Sequence, residues 1–181
     1  VRIGDVELSS VSRQIQPIIN DIADSIDGYV MESVVLRQKS QYRIFYTGTS
    51  STTASGAKGI IGSLTSNGFE WSETKGVQCR AVTSGFNYAG IEKIYHGDND
   101  GYVYLHDSGN SFSHSGTAVD IRATYETPNY DFGDFGTRKS INYVKISVSP
   151  EGTAEPILRV RYDYEDTNRP QPSDYTLTAI P

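Results

Sequence analysis

The chain has 181 residues, 22 acidic against 16 basic, a formal net charge of -6 and only 36% hydrophobic side chains. That length allows one substantial core or two small ones. The acidic balance argues against a duplex-gripping surface, which needs clustered Lys and Arg, but not against a lumen that DNA slides past. The lone Cys79 excludes an intrachain disulfide and Cys-rich zinc arrays. No apolar run reaches the ~20 residues of a membrane-spanning helix, and no signal peptide is visible.

Val1–Leu8 reads as a short strand with a polar turn at Gly4-Asp5. Ile15, Ile18, Ile19, Ile22, Ala23 and Ile26 then recur at spacings of three and four, which predicts a helix over 15–26 with Pro17 in its first turn and Asp27-Gly28 at its end. Its opposite face carries Asn20, Asp21, Asp24 and Ser25, so it should lie flat on a sheet. From Val30 the period becomes two. Val30–Arg37 and Tyr42–Tyr46 are expected to pair through Gln38-Lys39-Ser40-Gln41, and Thr47–Gly56, rich in Ser, Thr and Gly, reads as an exposed loop. Lys58–Thr65 and Phe69–Glu73 flank Asn67-Gly68, a strong hairpin signal. Gln78–Thr83 is expected as one more strand, with a loop through Gly85–Gly90.

A second series begins at Ile91. Ile94-Tyr95-His96 and Tyr102–Asp107 flank Asp98-Asn99-Asp100-Gly101, turn formers that tolerate positive φ. On the return strand Tyr102, Tyr104 and His106 share one face, and Val103, Leu105 and Asp107 the other. Tyr42–Tyr46 and Ile94-Tyr95 lie roughly 50 residues apart, a spacing within the range of β-propeller blades, which need ~4–8 copies to close. Beyond Thr127-Pro128 the pattern changes. A Gly- and aromatic-rich stretch over Tyr130–Thr137 precedes Ser140–Ser149, which alternates Ile141, Tyr143, Lys145, Ser147 against Asn142, Val144, Ile146, Val148. Pro150-Glu151-Gly152 is a turn, Ile157–Tyr164 a strand, Asp163–Ser173 an exposed loop and Tyr175–Ile180 a last strand, so Ile141–Ile180 is expected to form part of a small β-sandwich.

Several groups invite a chemical reading. Counting His96 as the first position, Asp98, Asp100, Gly101 and Asp107 follow the spacing of a Ca²⁺ loop, but the first position holds His and the flanks are strands, so a plain hairpin turn competes. His96, His106 and His114 stand near Asp107, Ser108 and Ser111 without a nucleophile elbow or a zinc helix, and read as half-exposed packing residues. Glu70, Glu73, Glu92 and Asp120 contain enough carboxylates for a glycosidase pair, with Trp71 and many Tyr for sugar stacking, but nothing fixes two at a working separation. Gly56-Ala57-Lys58-Gly59 lacks the full phosphate-loop pattern and no helix follows. Cys79, beside Arg80, reads as a buried inert thiol. The reading therefore assigns no catalytic, cofactor or metal residue, and no enzymatic activity.

Taken in order, Ser10–Ile19 with Gln16-Pro17, Gln41–Phe45, Gly97–Asp107 running to Ser111-Phe112, and Thr127-Pro128 through Phe132-Gly133-Asp134 to Arg138-Lys139 resemble the C-terminal part of tail nozzle or tail-tube-like proteins of short-tailed bacteriophages. The resemblance covers most of Val1–Ser149. It implies a β-propeller followed by a β-rich domain, in a structural virion protein of the phage tail. Copies would form a homo-oligomeric ring around the DNA exit channel, in contact with adaptor, fibres or spikes. The opening on Val1 and the stop at Pro181 fit a piece of a longer chain, with further blades upstream. The expected fold is all-β: blade-like antiparallel hairpins of a partial propeller over residues 1–126, with one helix at 15–26, then a sandwich-like region over 127–181. A carbohydrate- or receptor-binding tail module is the alternative.

Overall fold

A computed structural model describes residues 13–24, 28–48, 57–110, 112–114, 117–134, 136–149 and 152–178. The expected strand over Val1–Leu8, the end of the helix at 25–27, loop residues 49–56 with Gly56, Ser111, Phe135, the turn residues Pro150 and Glu151, and the chain end 179–181 lie outside the described residues. The chain divides into two compact units, Val1–Gly109 with Ser113–Ala118, and Asn110–Phe112 with Val119–Pro181. Among the described residues the secondary structure is mostly antiparallel sheet, with one short α-helix and two 3-10 turns.

In the first unit a 3-10 turn, Arg13–Ile15, leads into helix α1, Gln16–Asp24. Pro17 sits in the first turn, where its missing N–H leaves no intrahelical bond unmade. Ile15 and Ile22 are buried in one cluster with Tyr46 and Ile60, and Ile18, Ile19, Tyr29 and Trp71 pack around it. The helix therefore lies on a sheet, as its amphipathic pattern requires.

That sheet is a four-stranded antiparallel meander of β1 Tyr29–Leu36, β2 Gln41–Gly48, β3 Ala57–Thr65 and β4 Gly68–Lys75, paired in sequence order. The β3–β4 turn places Gly68 at φ 111°, a conformation that glycine adopts without steric cost. Register assigns the faces. Met31 opposes Tyr46 and Tyr46 opposes Lys58, so Tyr46 and Ile60 point to the helix, while Arg43, Phe45 and Thr47 point the other way. Both faces of β2 are covered: Tyr46 is 2% and Phe45 1% exposed. Two glycines allow close approach. A Cβ on Gly59 would meet Phe45, Thr74 and the Ile44 carbonyl, and one on Gly62 would meet the Trp71 ring at 2.6 Å. Thr47, expected in an exposed loop, instead lies within β2 and is fully buried, because the strand runs on and pairs it with Ala57.

The second sheet of this unit is β5 Ala81–Phe86, β6 Glu92–Gly97 and β7 Val103–Leu105, again antiparallel and in order. The strand expected at Gln78–Thr83 begins only at Ala81. Val77, Gln78 and Cys79 form an irregular buried lead-in, so Cys79 is buried but not on a strand. Burial and the Glu32 carboxylate push its thiol up to about 12, which keeps it protonated and inert. A further two-stranded sheet joins β8 Phe112–His114 and β9 Thr117–Val119.

In the second unit β10 Ile157–Leu158 pairs with β11 Tyr175–Thr176, the one ladder among the described residues beyond β9. The strand expected at Ser140–Ser149 forms no ladder and is exposed throughout. The expected strand Ile157–Tyr164 shrinks to two residues, and Asp163–Glu165 is a 3-10 turn at positive φ. The small β-sandwich expected over Ile141–Ile180 is thus not formed by the described residues. Alternation sets which face a side chain takes but supplies no neighbour to close a ladder. What order the unit has is polar: Arg159 pairs through two nitrogens with Asp174, and the Gln171 amide bonds both the N–H and the carbonyl of Tyr162.

Candidate functional site: a charged seam between two sheets

The polar chemistry of the first unit gathers where the second sheet packs on the Phe45 face of the meander. β6 turns Glu92, Ile94 and His96 inward, and all three are buried. The β6–β7 register places Tyr104 opposite His96, and His106 follows on the same row. The aromatic and imidazole row of the return strand therefore faces the seam, while Val103 stays 74% exposed.

Asp107 stands at φ 53°, a left-handed conformation that Asp tolerates. Its carboxylate accepts two hydrogen bonds from Arg43 on β2, at 3.1 and 2.7 Å, and one at 2.6 Å from Lys39 in the β1–β2 turn. The Arg43 side chain is only 6% exposed, so Asp107 is the counter-charge that makes its burial tolerable. Partial burial pushes the Asp107 carboxyl up, but hydrogen bonds and charge from Arg43 and Lys39 outweigh it and hold the pKa at about 2. Gln38 and Glu92 form a second clasp. The Gln38 N–H donates to Glu92 at 3.0 Å and the Glu92 N–H donates to the Gln38 amide oxygen at 2.9 Å. The Ser84 hydroxyl donates to the Val35 carbonyl, tying β5 to β1.

Between these clasps, His96 Nδ1 and His106 Nε2 lie 2.6 Å apart in a hydrogen bond, with ring centroids 4.6 Å apart and nearly perpendicular. Phe45 packs on His106 at 5.4 Å and Tyr104 stacks on His96 at 5.1 Å. Burial, the neighbouring His96 and the Arg43 charge push His106 down to about 4, against a smaller pull from Asp107. Burial also lowers His96, partly offset by Asp98. Both imidazoles are neutral at pH 7. A cleft of about 180 Å³ opens beside them, lined by Leu36, Gln38, Lys39, Glu92, His106 and Asp107 among others. One Glu92 oxygen is buried there without a hydrogen-bond partner.

The structure separates most of the groups that the sequence offered for chemistry. Asp98 Oδ1 accepts from the Asp100 and Tyr102 N–H groups at 2.9 and 3.0 Å and so closes the hairpin, while Asp107 is committed to Arg43 and Lys39. The carboxylates at the third and twelfth positions of the supposed Ca²⁺ loop thus serve different partners. No group of three or more His, Cys, Asp or Glu fit to hold a metal ion occurs among the described residues. Glu70 and Glu73 lie at odd spacing on β4 and take opposite faces, Glu92 belongs to the other sheet and Asp120 to the other unit. Lys58 sits within β3 and enters no helix. Trp71 packs against the helix cluster and Gly62, stacked on Phe69. His114 ends β8, and Ser108 is exposed.

The residues that sequence reasoning did not single out are Gln38, Lys39 and Arg43. Arg43 carried a signal: a cation in the middle of the apolar alternation of Tyr42–Tyr46 is rarely buried without a carboxylate. Chemically, the seam pairs Arg43 and Lys39 with Asp107, Gln38 with Glu92 and the two imidazoles with each other, which suits it to locking two sheets together. Comparison of the chain with known protein families, known proteins and solved structures finds no match.

Proposed function

We propose that the protein is a non-enzymatic structural subunit, a ring-forming component of a bacteriophage tail of the nozzle type, completed by copies of itself. The observation that carries this reading is the state of residues 120–178: among those described, none is buried. Tyr125 is 91%, Tyr143 84%, Tyr164 66%, and Tyr130 and Phe132 each 64% exposed. At ~150–250 Å² per aromatic ring, these side chains alone present on the order of 700 Å², close to the ~800 Å² per partner of a standard interface. Exposed aromatic side chains of this total area supply the kind of residue that interfaces are enriched in.

Other features support the reading. A four-stranded meander in sequence order is compatible with a propeller blade, and a second antiparallel sheet packs on its Phe45 face. The net charge of -6 suits a channel that must not hold DNA. No helix among the described residues is long and apolar enough to cross a membrane. Adaptor, fibre or spike proteins would be its other neighbours. The test is the mass of the full chain in solution, by light scattering over a concentration series. The expected result is a discrete oligomer, seen end-on as a ring in negative-stain images. A monomer at every concentration would overturn the proposal.

A further inference from the structure

We propose that the His96–His106 pair is an acid-sensitive latch, whose double protonation releases β7 and residues 106–107 from the β2 face while the four-stranded sheet stays folded. The inference stands on the first unit alone and does not depend on the oligomeric reading.

The geometry carries it. At 2.6 Å only one hydrogen fits between His96 Nδ1 and His106 Nε2, so one ring donates and the other must keep its lone pair. A first added proton goes to an outer nitrogen and leaves that bond intact. A second proton takes the lone pair, and two N–H groups then point at each other inside the seam. The surroundings oppose charge there. β2 presents the apolar ring of Phe45 and the Arg43 cation, and the β1–β2 turn adds Lys39. β5 presents Val82 opposite His96, with no charge to offer. Of the nearby carboxylates, Asp107 is held by Arg43 and Lys39, Glu92 is tied to Gln38, and Glu32 on β1 stands opposite Phe45, where its charge acts on Cys79. Only Asp98, at the β6–β7 turn, favours a charge on His96.

The ladder that would open is slight, although the Arg43 and Lys39 hydrogen bonds to Asp107 must part with it. β7 has three residues, and its ladder joins Tyr95 to Leu105, His96 to Tyr104 and Gly97 to Val103. β7 is the last strand of its sheet, so only β6 holds it by a ladder. The sign follows from linkage. His106 titrates at about 4 when latched, against ~6.5 for a free imidazole. Above pH ~6.5 neither form binds the proton and the latch is fully closed. As pH falls from there towards about 4 the open form gains the His106 proton and the closed form does not, which favours opening by up to tenfold per pH unit. Below both values the shift is complete.

The experiment uses the full chain. Imidazole resonances are titrated by NMR, with His114→Gln identifying the third histidine. Hydrogen exchange of residues 103–107 and of β2 and β3 is followed from pH 7 to 4, corrected for intrinsic rates. The expected result is one imidazole titrating well below ~6.5 and a second lowered from it, with the opening of 103–107 rising ~5–10-fold between pH 6 and 5 while Ile44 and Ile60 stay protected. His106→Phe, which keeps the ring against Phe45 but cannot titrate, should flatten that rise. Histidines titrating near ~6.5, or exchange of 103–107 that does not change with pH in the wild type, would overturn the latch. The wild-type titration decides the matter even if His106→Phe fails to fold.

Discussion

Residues 41–48 and 140–149 are both alternating runs of Tyr, Ile, Val or Phe with polar residues, yet they end in opposite states. The first is β2, flanked by β1 and β3, covered by α1 on one face and by the second sheet on the other, with Phe45 1% exposed. The second has no ladder, and Tyr143 is 84% exposed. The difference lies in the neighbours. β2 gains both flanking strands through short local connections, whereas 140–149 pairs with no strand among the described residues. A strand pattern is therefore a demand for a partner, and under the proposed function other copies of the chain would supply it in the second unit.

The contrast can be broken first at its buried end. Phe45→Ala removes a fully buried ring seated against Gly59 and His106 and should cost ~3–5 kcal/mol in urea denaturation. Tyr143→Ala should leave the same transition within ~0.5 kcal/mol but lower the mass of the assembly in light scattering. Equal costs at the two positions would erase the distinction. Asp107→Asn strips Arg43 and Lys39 of their counter-charge. Loss of one partner of a buried pair costs ~3–5 kcal/mol, and with Asp107 37% exposed the expected loss is discounted to ~1–3. Gly59→Ala places a methyl against Phe45 and the Ile44 carbonyl and should cost ~1–3 kcal/mol. Arg159→Ala, which removes the exposed pair with Asp174, should not move the denaturation midpoint.

Acid sharpens the same comparison. The Asp107 pKa is lower folded than unfolded, so its contribution is fully present above the ordinary carboxylate range and drains away as pH falls through about 2. Stability measured from pH 5 to 2 should therefore fall less steeply in Asp107→Asn than in the wild type.

Much of the first unit was legible because its signals are local. The isoleucines at 15, 18, 19 and 22 set the helix face, Asn67-Gly68 set the β3–β4 hairpin, and Asp98–Gly101 set the β6–β7 turn. The β5 boundary was not legible, since Gln78 and Cys79 are buried as irregular chain by tertiary packing rather than by period. The candidate site was legible only in pieces. His96, His106 and Asp107 stood out as chemistry-bearing types, but Arg43 and Lys39 are over 60 residues from Asp107 in sequence. Only the packing of the two sheets brings them together. Which row of the return strand faces inward was equally hidden, because Tyr104 and His106 took the seam and Val103 took the water.

The most direct test is hydrogen exchange of residues 140–149 at rising protein concentration, beside that of residues 41–48. If neighbouring copies supply the missing strand, the amides of 140–149 should pass from unprotected to protected as the oligomer forms, while those of 41–48 stay protected throughout. Fast exchange of 140–149 in a fully assembled sample, or protection of that segment in a monomer, would contradict it.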